Sequence, residues 1–158
     1  MTEVMYMNES TDHVVEQAER TCSKSGLRLT PKRRNVLLTL LRAGAPQSAY
    51  ELAAQYQADF GESIPTMSVY RMLDFLVQVK LAHKLDTTNQ YLACAHITCD
   101  HQHEVPQFLI CDQCHGVAEI GVGKALLEQL KQSVERTGFQ LKRRQLELHG
   151  VCASCSGH

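Results

Sequence analysis

Two CxxC pairs constrain this chain more than any other feature. Cys111-Asp112-Gln113-Cys114 and Cys152-Ala153-Ser154-Cys155 are separated by residues 115–151. Four thiolates with this spacing can close a tetrahedron around Zn²⁺ at roughly 2.3 Å per bond, and two residues between cysteines allow one tight turn to aim both sulfurs at one ion. The intervening stretch reads as strand, helix and strand, enough to return the second pair to the first. Closed zinc sites of this kind contribute on the order of 10 kcal/mol or more to small domains. Segment 106–158 is short for a self-sufficient core, so such a staple fits it. A redox dithiol is disfavoured by the lack of a preceding thioredoxin-like pattern. A zinc deaminase is disfavoured because Ile110, not proline, precedes Cys111 and the chain has no H-x-E.

The chain has 158 residues with seven cysteines, eight histidines and a net charge of −1. An odd cysteine count with no visible secretion signal points to metal or thiol chemistry in a reducing compartment, so a cytoplasmic location is expected. No apolar run reaches the roughly 18 residues of a membrane span. The near-neutral charge excludes a uniformly basic nucleic-acid coat but not a local patch.

The first part reads as helices followed by a wing. Val14, Val15, Ala18 and Cys22 recur at helical spacing, and Gly26 ends that helix. Thr30-Pro31 is an N-cap followed by proline at the first helical position, with Val36, Leu37, Leu40 and Leu41 as the apolar stripe. Ser48 and Glu51 form a capping box ahead of Leu52, Ala53 and Tyr56. Thr66 is expected to cap a fourth helix whose Val69, Met72, Leu73 and Leu76 face inward. Leu81–Leu85 and Gln90–Cys94 flank the turn Asp86-Thr87-Thr88-Asn89 as a hairpin. Residues 1–94 therefore form one domain and residues 95–105 a linker. In segment 106–158, Phe108–Cys111 and Val117–Ile120 are strands. Leu126, Leu127, Leu130 and Val134 mark a helix, and Phe139–Leu148 reads as a long strand with a bulge. The expected class is α+β: a winged-helix DNA-binding domain followed by a small α/β domain with a four-cysteine zinc site.

A second donor cluster surrounds the linker: His83, Cys94, His96, Cys99, Asp100, His101, His103 and His115, with Glu119 beyond. A turn centred between Thr87 and Thr88 places His83 opposite Leu92. Cys94 is then its diagonal neighbour on the same face, about 7–8 Å away at Cα. A mixed nitrogen, sulfur and oxygen donor set suits zinc; an all-nitrogen/oxygen set suits iron or manganese better.

Every charged residue from Arg20 to Arg42 is basic: Arg20, Lys24, Arg28, Lys32, Arg33, Arg34 and Arg42. This patch, Lys32 and Arg33 included, immediately precedes the helix–turn–helix–wing unit. The second helix of that unit opens with Thr66, Met67, Ser68, Val69, Tyr70 and Arg71. Thr66, Ser68, Tyr70 and Arg71 offer the hydroxyl, phenol and guanidinium groups that bind phosphate oxygens and base edges, so double-stranded DNA is the expected partner.

From about Arg28 to Cys155 these residues resemble the Fur family of metal-responsive repressors. The resemblance rests on Leu29-Thr30-Pro31-Lys32-Arg33, Ser68-Val69-Tyr70-Arg71, Leu109-Ile110-Cys111-Asp112-Gln113-Cys114 and Gly150-Val151-Cys152-Ala153-Ser154-Cys155. Within the family the chain is most similar to the zinc-responsive branch. Tyr50 in Ser48-Ala49-Tyr50-Glu51-Leu52, the run Val69–Leu76, and His83-Lys84 with Cys94 carry that likeness. Iron- and peroxide-sensing members usually have a histidine just before the helix that begins here after Ser48; this chain has Pro46 and Gln47. His115 stands where the family commonly has glycine.

The resemblance implies a homodimer, with 106–158 as its dimerisation and zinc-binding domain, that binds operator DNA and represses zinc-uptake genes. It implies two Zn²⁺ per subunit, one structural on the four cysteines and one regulatory on His83, Cys94, a linker histidine and Glu119. His103 is the linker histidine chosen, with His96 and His101 as alternatives, and Tyr50 joins the DNA contacts. No small-molecule substrate, membrane association or catalysis is expected. The competing readings are an iron- or peroxide-responsive relative, and a zinc enzyme with Glu119 as its base.

Overall fold

The computed structural model describes residues 11–95, 97, 106–142 and 145–157. The chain divides into two units, Met1–Cys99 and Asp100–His158.

The first unit contains α1 (Thr11–Lys24), α2 (Pro31–Ala43), α3 (Ala49–Phe60), α4 (Thr66–Gln78) and the hairpin β1 (Ala82–Leu85) with β2 (Gln90–Ala93). Local chemistry sets most of these boundaries. Thr30 accepts the Arg33 N–H at 3.4 Å and Pro31 occupies the first helical position of α2. Gly44, in the left-handed region at φ 61°, ends α2. The capping box of α3 is complete: the Glu51 N–H donates to Ser48 Oγ at 3.1 Å, and the Ser48 N–H donates to Glu51 Oε2 at 3.0 Å. Two orphan donors are thereby satisfied, which marks where α3 starts.

One expected cap differs. The N-cap of α4 is Pro65, and Thr66 is the first helical residue. The Pro65 carbonyl accepts from the N–H groups of Ser68 at 2.9 Å and Val69 at 3.2 Å. Proline has no N–H to lose there, and its fixed φ suits the approach to a helix.

The helices converge on a core in which Val15, Leu37, Leu40, Leu52, Tyr56, Val69, Leu73 and Leu76 are almost wholly buried. Met72 is only half-buried, packed against the rim of this core. The wing has the expected register, with Ala82 opposite Ala93, His83 opposite Leu92 and Lys84 opposite Tyr91. It is tied to the chain before α3 by reciprocal bonds: the Gln47 N–H donates to the Tyr91 carbonyl at 2.8 Å, and the Tyr91 N–H to the Gln47 carbonyl at 2.7 Å.

The second unit contains β3 (Pro106–Cys111), β4 (Val117–Gly121), α5 (Lys124–Glu135) and β5 (Glu147–Gly150). The sheet order is β4-β3-β5, with β4 antiparallel and β5 parallel to the central strand. Its buried set is small among the described residues: Gln107, Phe108, Ile110, Cys111 and Leu127. The buried Gln107 amide accepts the Leu146 N–H, and the Phe108 N–H donates to the Leu146 carbonyl at 2.9 Å. These bonds guide β5 onto β3.

The expected long strand Phe139–Leu148 is instead the short β5, Glu147–Gly150. Phe139 and Leu141 have one parity and Leu146 and Leu148 the other, so no single strand can turn all four to one face. Phe139 is 62% exposed and lies outside the ladder altogether.

Candidate metal centres and nucleic-acid interface

The parallel pairing of β3 with β5 places Cys111 opposite Gly150. One further bond, from the Asp112 N–H to the Gly150 carbonyl at 2.8 Å, carries the two chain segments on side by side. Each then turns back on itself. The His115 N–H reaches the Cys111 carbonyl at 2.9 Å, and the N–H groups of Cys155 and Ser156 reach the Cys152 carbonyl at 3.1 and 2.9 Å. The turns bring Sγ atoms of Cys111, Cys114, Cys152 and Cys155 within 4.8 Å of one another.

The Cys114 and Cys152 sulfurs are 3.8 Å apart. A zinc–thiolate tetrahedron with bonds of roughly 2.3 Å has edges of about 3.8 Å, so this pair stands at the spacing of one edge of a closed zinc site. Backbone N–H groups of Cys114 and Cys152 hold the Cys111 thiol down at about 6, against the opposing effect of burial. The Cys155 thiol is pushed up to about 12, chiefly by hydrogen bonding with the Cys152 and Cys114 sulfurs. A metal-free cluster thus keeps one thiolate and retains a proton on another, and a cation replaces that proton.

Two neighbours shape the turn. A Cβ at Gly116 would stand 3.3 Å from Cys114 Sγ, so a larger residue would crowd the ligand. His115 holds a left-handed φ of 59°, the conformation that favours glycine. Its imidazole is outside the four-sulfur group. His149 Nδ1 lies 3.0 Å from Asp112 Oδ1, a cross-strand tie that the sequence reading missed. The β3–β5 register would have revealed it, but the order of the strands is not written in either segment.

On the wing, the Cys94 N–H donates to the Leu81 carbonyl at 2.9 Å, which extends the ladder by one pair. This places Cys94 diagonally from His83 on one face. A ring nitrogen of His83 and the buried Cys94 sulfur lie within 4.8 Å. Glu119 stands on β4 of the second unit, opposite Phe108. His96, Cys99, Asp100, His101 and His103 lie outside the described residues.

The candidate DNA contacts occupy the starts of three helices. Lys32, Arg33, Ser68 and Arg71 line one groove of about 540 Å³ together with Thr30, Pro31 and Met72. Tyr50 is 69% exposed at the start of α3, outside that groove. Thr66 is half-buried in the first turn of α4. Tyr70 is also half-buried, its ring edge-on to Tyr91 with centroids 6.5 Å apart, so the wing fixes the phenol's direction.

The basic patch is less concentrated in space than in sequence. Lys32 pairs with Glu62 at 3.3 Å, Arg34 with Glu19 at 3.2 Å and Arg42 with Asp59 at 3.9 Å. Arg33 stacks its guanidinium 3.8 Å from the Phe75 ring centre and donates to the Arg28 carbonyl at 3.0 Å. It joins α2 to α4 as well as bordering the groove.

A model of the ferric uptake regulator family matches residues 24–149. The zinc uptake regulation protein of Escherichia coli (strain K12) is 33% identical over 146 residues, covering 92% of this chain and 83% of that protein. The peroxide operon regulator of Bacillus subtilis (strain 168) is 28% identical, covering 91% and 94%. Among solved structures, a zinc uptake regulator complexed with zinc and DNA superposes with a TM-score of 0.81 at 30% identity, covering 95% of this chain and 97% of that one. Holo XcZur superposes with a TM-score of 0.76 at 41% identity, covering 93% and 99%.

Proposed function

Given that the chain belongs to the ferric uptake regulator family, we propose that it is a zinc-responsive transcriptional repressor that binds operator DNA as a homodimer and controls zinc-uptake genes. The observation that carries this reading is the pairing of His83 with Cys94 on the wing, a donor set distinct from the four-cysteine cluster. The likeness to a zinc uptake regulator complexed with zinc and DNA supports it.

The two donor sets support a count of two Zn²⁺ per subunit. Cys111, Cys114, Cys152 and Cys155 hold the structural ion, which is part of the fold. His83 and Cys94 begin the regulatory set, completed by His103 and Glu119, with His96 and His101 as the other linker histidines. When bound, this ion supplies a cross-link between the wing and the chain beyond it. His83 and Cys94 are anchored in a hairpin that Gln47 and Tyr91 fasten to the start of α3. Tyr91 of the same hairpin also packs edge-on against Tyr70 of α4, so restricting the wing restricts α4. The effect is a population shift: ligands that gather more completely in the DNA-competent state stabilise that state.

Arg71, Ser68, Thr66, Tyr70 and Tyr50 then reach the duplex, with Lys32 and Arg33 beside the phosphates. The reading includes no catalytic step and no membrane association, and it places the protein in the cytoplasm. The iron- or peroxide-responsive alternative is not favoured, because the Cys94 thiolate is a soft ligand suited to zinc. A metal titration of the purified protein, followed at each point by binding to DNA from upstream of zinc-uptake genes, tests the proposal. DNA affinity should rise as a second zinc per subunit binds. An equal response to ferrous iron, or none to zinc, would overturn it.

A further inference from the structure

The outward face of α4 is settled by burial. Val69, Leu73 and Leu76 point into the core, and the opposite stripe of Met67, Arg71, Asp74 and Gln78 is exposed. Met67 is the one apolar member of that stripe and is 66% exposed. It sits in the first turn of the helix, four residues before Arg71. A methionine there contributes nothing to the core of its unit, and an exposed helix surface is better served by a polar side chain. Its long, unbranched thioether is suited to filling an irregular apolar surface.

The major-groove edge of a base pair carries a single apolar group, the C5-methyl of thymine. We propose that Met67 is a specificity-determining residue that packs on a thymine methyl, beside the base pair contacted by Arg71. The proposal rests on the reading that α4 enters the major groove. The N-terminal residues of a recognition helix are those that meet base edges, and Met67 belongs to that turn. The spacing is also suitable. Four residues of helix advance about 6 Å. Successive base pairs are about 3.4 Å apart. The thymine therefore lies within about two base pairs of the one Arg71 reads. A methyl contact discriminates by about fourfold per site.

The test uses the zinc-loaded full chain and a duplex library with a randomised central segment. The native protein, Met67→Ala, Met67→Gln and Arg71→Ala are each carried through selection. Thymines in the site selected by the native protein are then replaced singly by deoxyuridine, which removes only the methyl. The native protein should show a thymine preference near the Arg71-dependent position and bind the matching deoxyuridine duplex about fourfold more weakly. Both Met67 variants should bind the two duplexes equally and lose that preference. Their salt dependence should match the native protein's, because no phosphate contact is removed. Retention of the thymine preference and of the deoxyuridine penalty in both variants would overturn the assignment of Met67. If Arg71→Ala leaves sequence preference unchanged, or the native protein selects no sequence, the placement of α4 in the groove fails, and this inference fails with it.

Discussion

Arg33 lies face-on over Phe75, its guanidinium carbon 3.8 Å from the ring centre, while Nη1 donates to the Arg28 carbonyl. One side chain thus joins the segment before α2, α2 itself and α4. Lysine cannot reproduce the planar stack or the directed bond. Arg33→Lys should lower stability by about 1 kcal/mol. It should also weaken DNA binding beyond the charge it retains, since α4 loses a brace. Denaturant melts beside DNA titrations at fixed salt check this. No change in either would mean the stack is incidental.

The four-cysteine cluster should behave as part of the second unit's fold. Cys111→Ser or Cys152→Ser should lose one tightly held zinc and disorder residues 106–157, as followed by metal analysis and hydrogen exchange. A normal melting curve in either variant would contradict the structural role. The pH dependence has a definite sign. Cys111 is held below an ordinary thiol, so its thiolate is present at neutral pH and lost as pH falls through about 6. Cys155 is raised to about 12 and must release a proton when metal binds. Zinc uptake at neutral pH should therefore release protons, as measured by calorimetry in buffers of different ionisation enthalpy. Zinc affinity should fall with decreasing pH already at neutrality, through the Cys155 proton, and more steeply below about 6, where Cys111 also takes a proton in the metal-free cluster.

Cys94→Ser should separate sensing from folding. It removes the one thiolate of the wing set and leaves all four CxxC sulfurs in place. The variant should fold, keep one tight zinc per subunit and no longer gain DNA affinity on zinc addition. His83→Ala should behave alike. A Cys94 variant that still responds at the native zinc concentration would exclude the wing from sensing.

The Tyr56 hydroxyl is buried without a hydrogen-bond partner among the described residues. Removing it costs no bond and relieves a desolvated group. Tyr56→Phe should be neutral or stabilising by up to about 1 kcal/mol. A large loss of stability in a thermal melt would show that the hydroxyl has a bonded partner.

His115 holds its left-handed backbone at a steric cost that glycine does not incur. His115→Gly should stabilise the zinc-loaded second unit by about 1 kcal/mol, with zinc content unchanged. Loss of metal would instead identify the imidazole as a ligand.

The features legible in the sequence are those set by near neighbours. Thr30-Pro31, the Ser48–Glu51 box and the hairpin register each depend on a few adjacent residues, so the His83–Cys94 diagonal could be counted out in advance. The two CxxC turns are equally local. What escaped the sequence depends on residues brought together by folding. The run from Arg20 to Arg42 contains no acid, yet Glu19, Asp59 and Glu62 arrive from other segments to pair with three of its members. Pro65 rather than Thr66 caps α4 because a carbonyl fulfils the role that a hydroxyl was expected to take. The parity change between Phe139 and Leu148 was visible, but the bond by which the Gln107 amide takes the Leu146 N–H just before Glu147–Gly150 was not.

The order of strands in the second unit has a consequence for how the chain reaches this state. β3 can pair with β4 at once as a hairpin, but its other edge stays open until α5 has formed and β5 has been made. The wing and the helices before it are synthesised first, and domains generally fold as units in the order in which they are made. The helices of the first unit should therefore be assembled while one edge of the later sheet's central strand is still open. In that interval Leu109 and Ile110 lie on an unpaired edge, the sort of surface through which nascent chains stick together. Metal capture by Cys111 and Cys114 cannot be completed until Cys152 and Cys155 arrive. Zinc supply during synthesis should thus set the yield of folded protein as well as its activity.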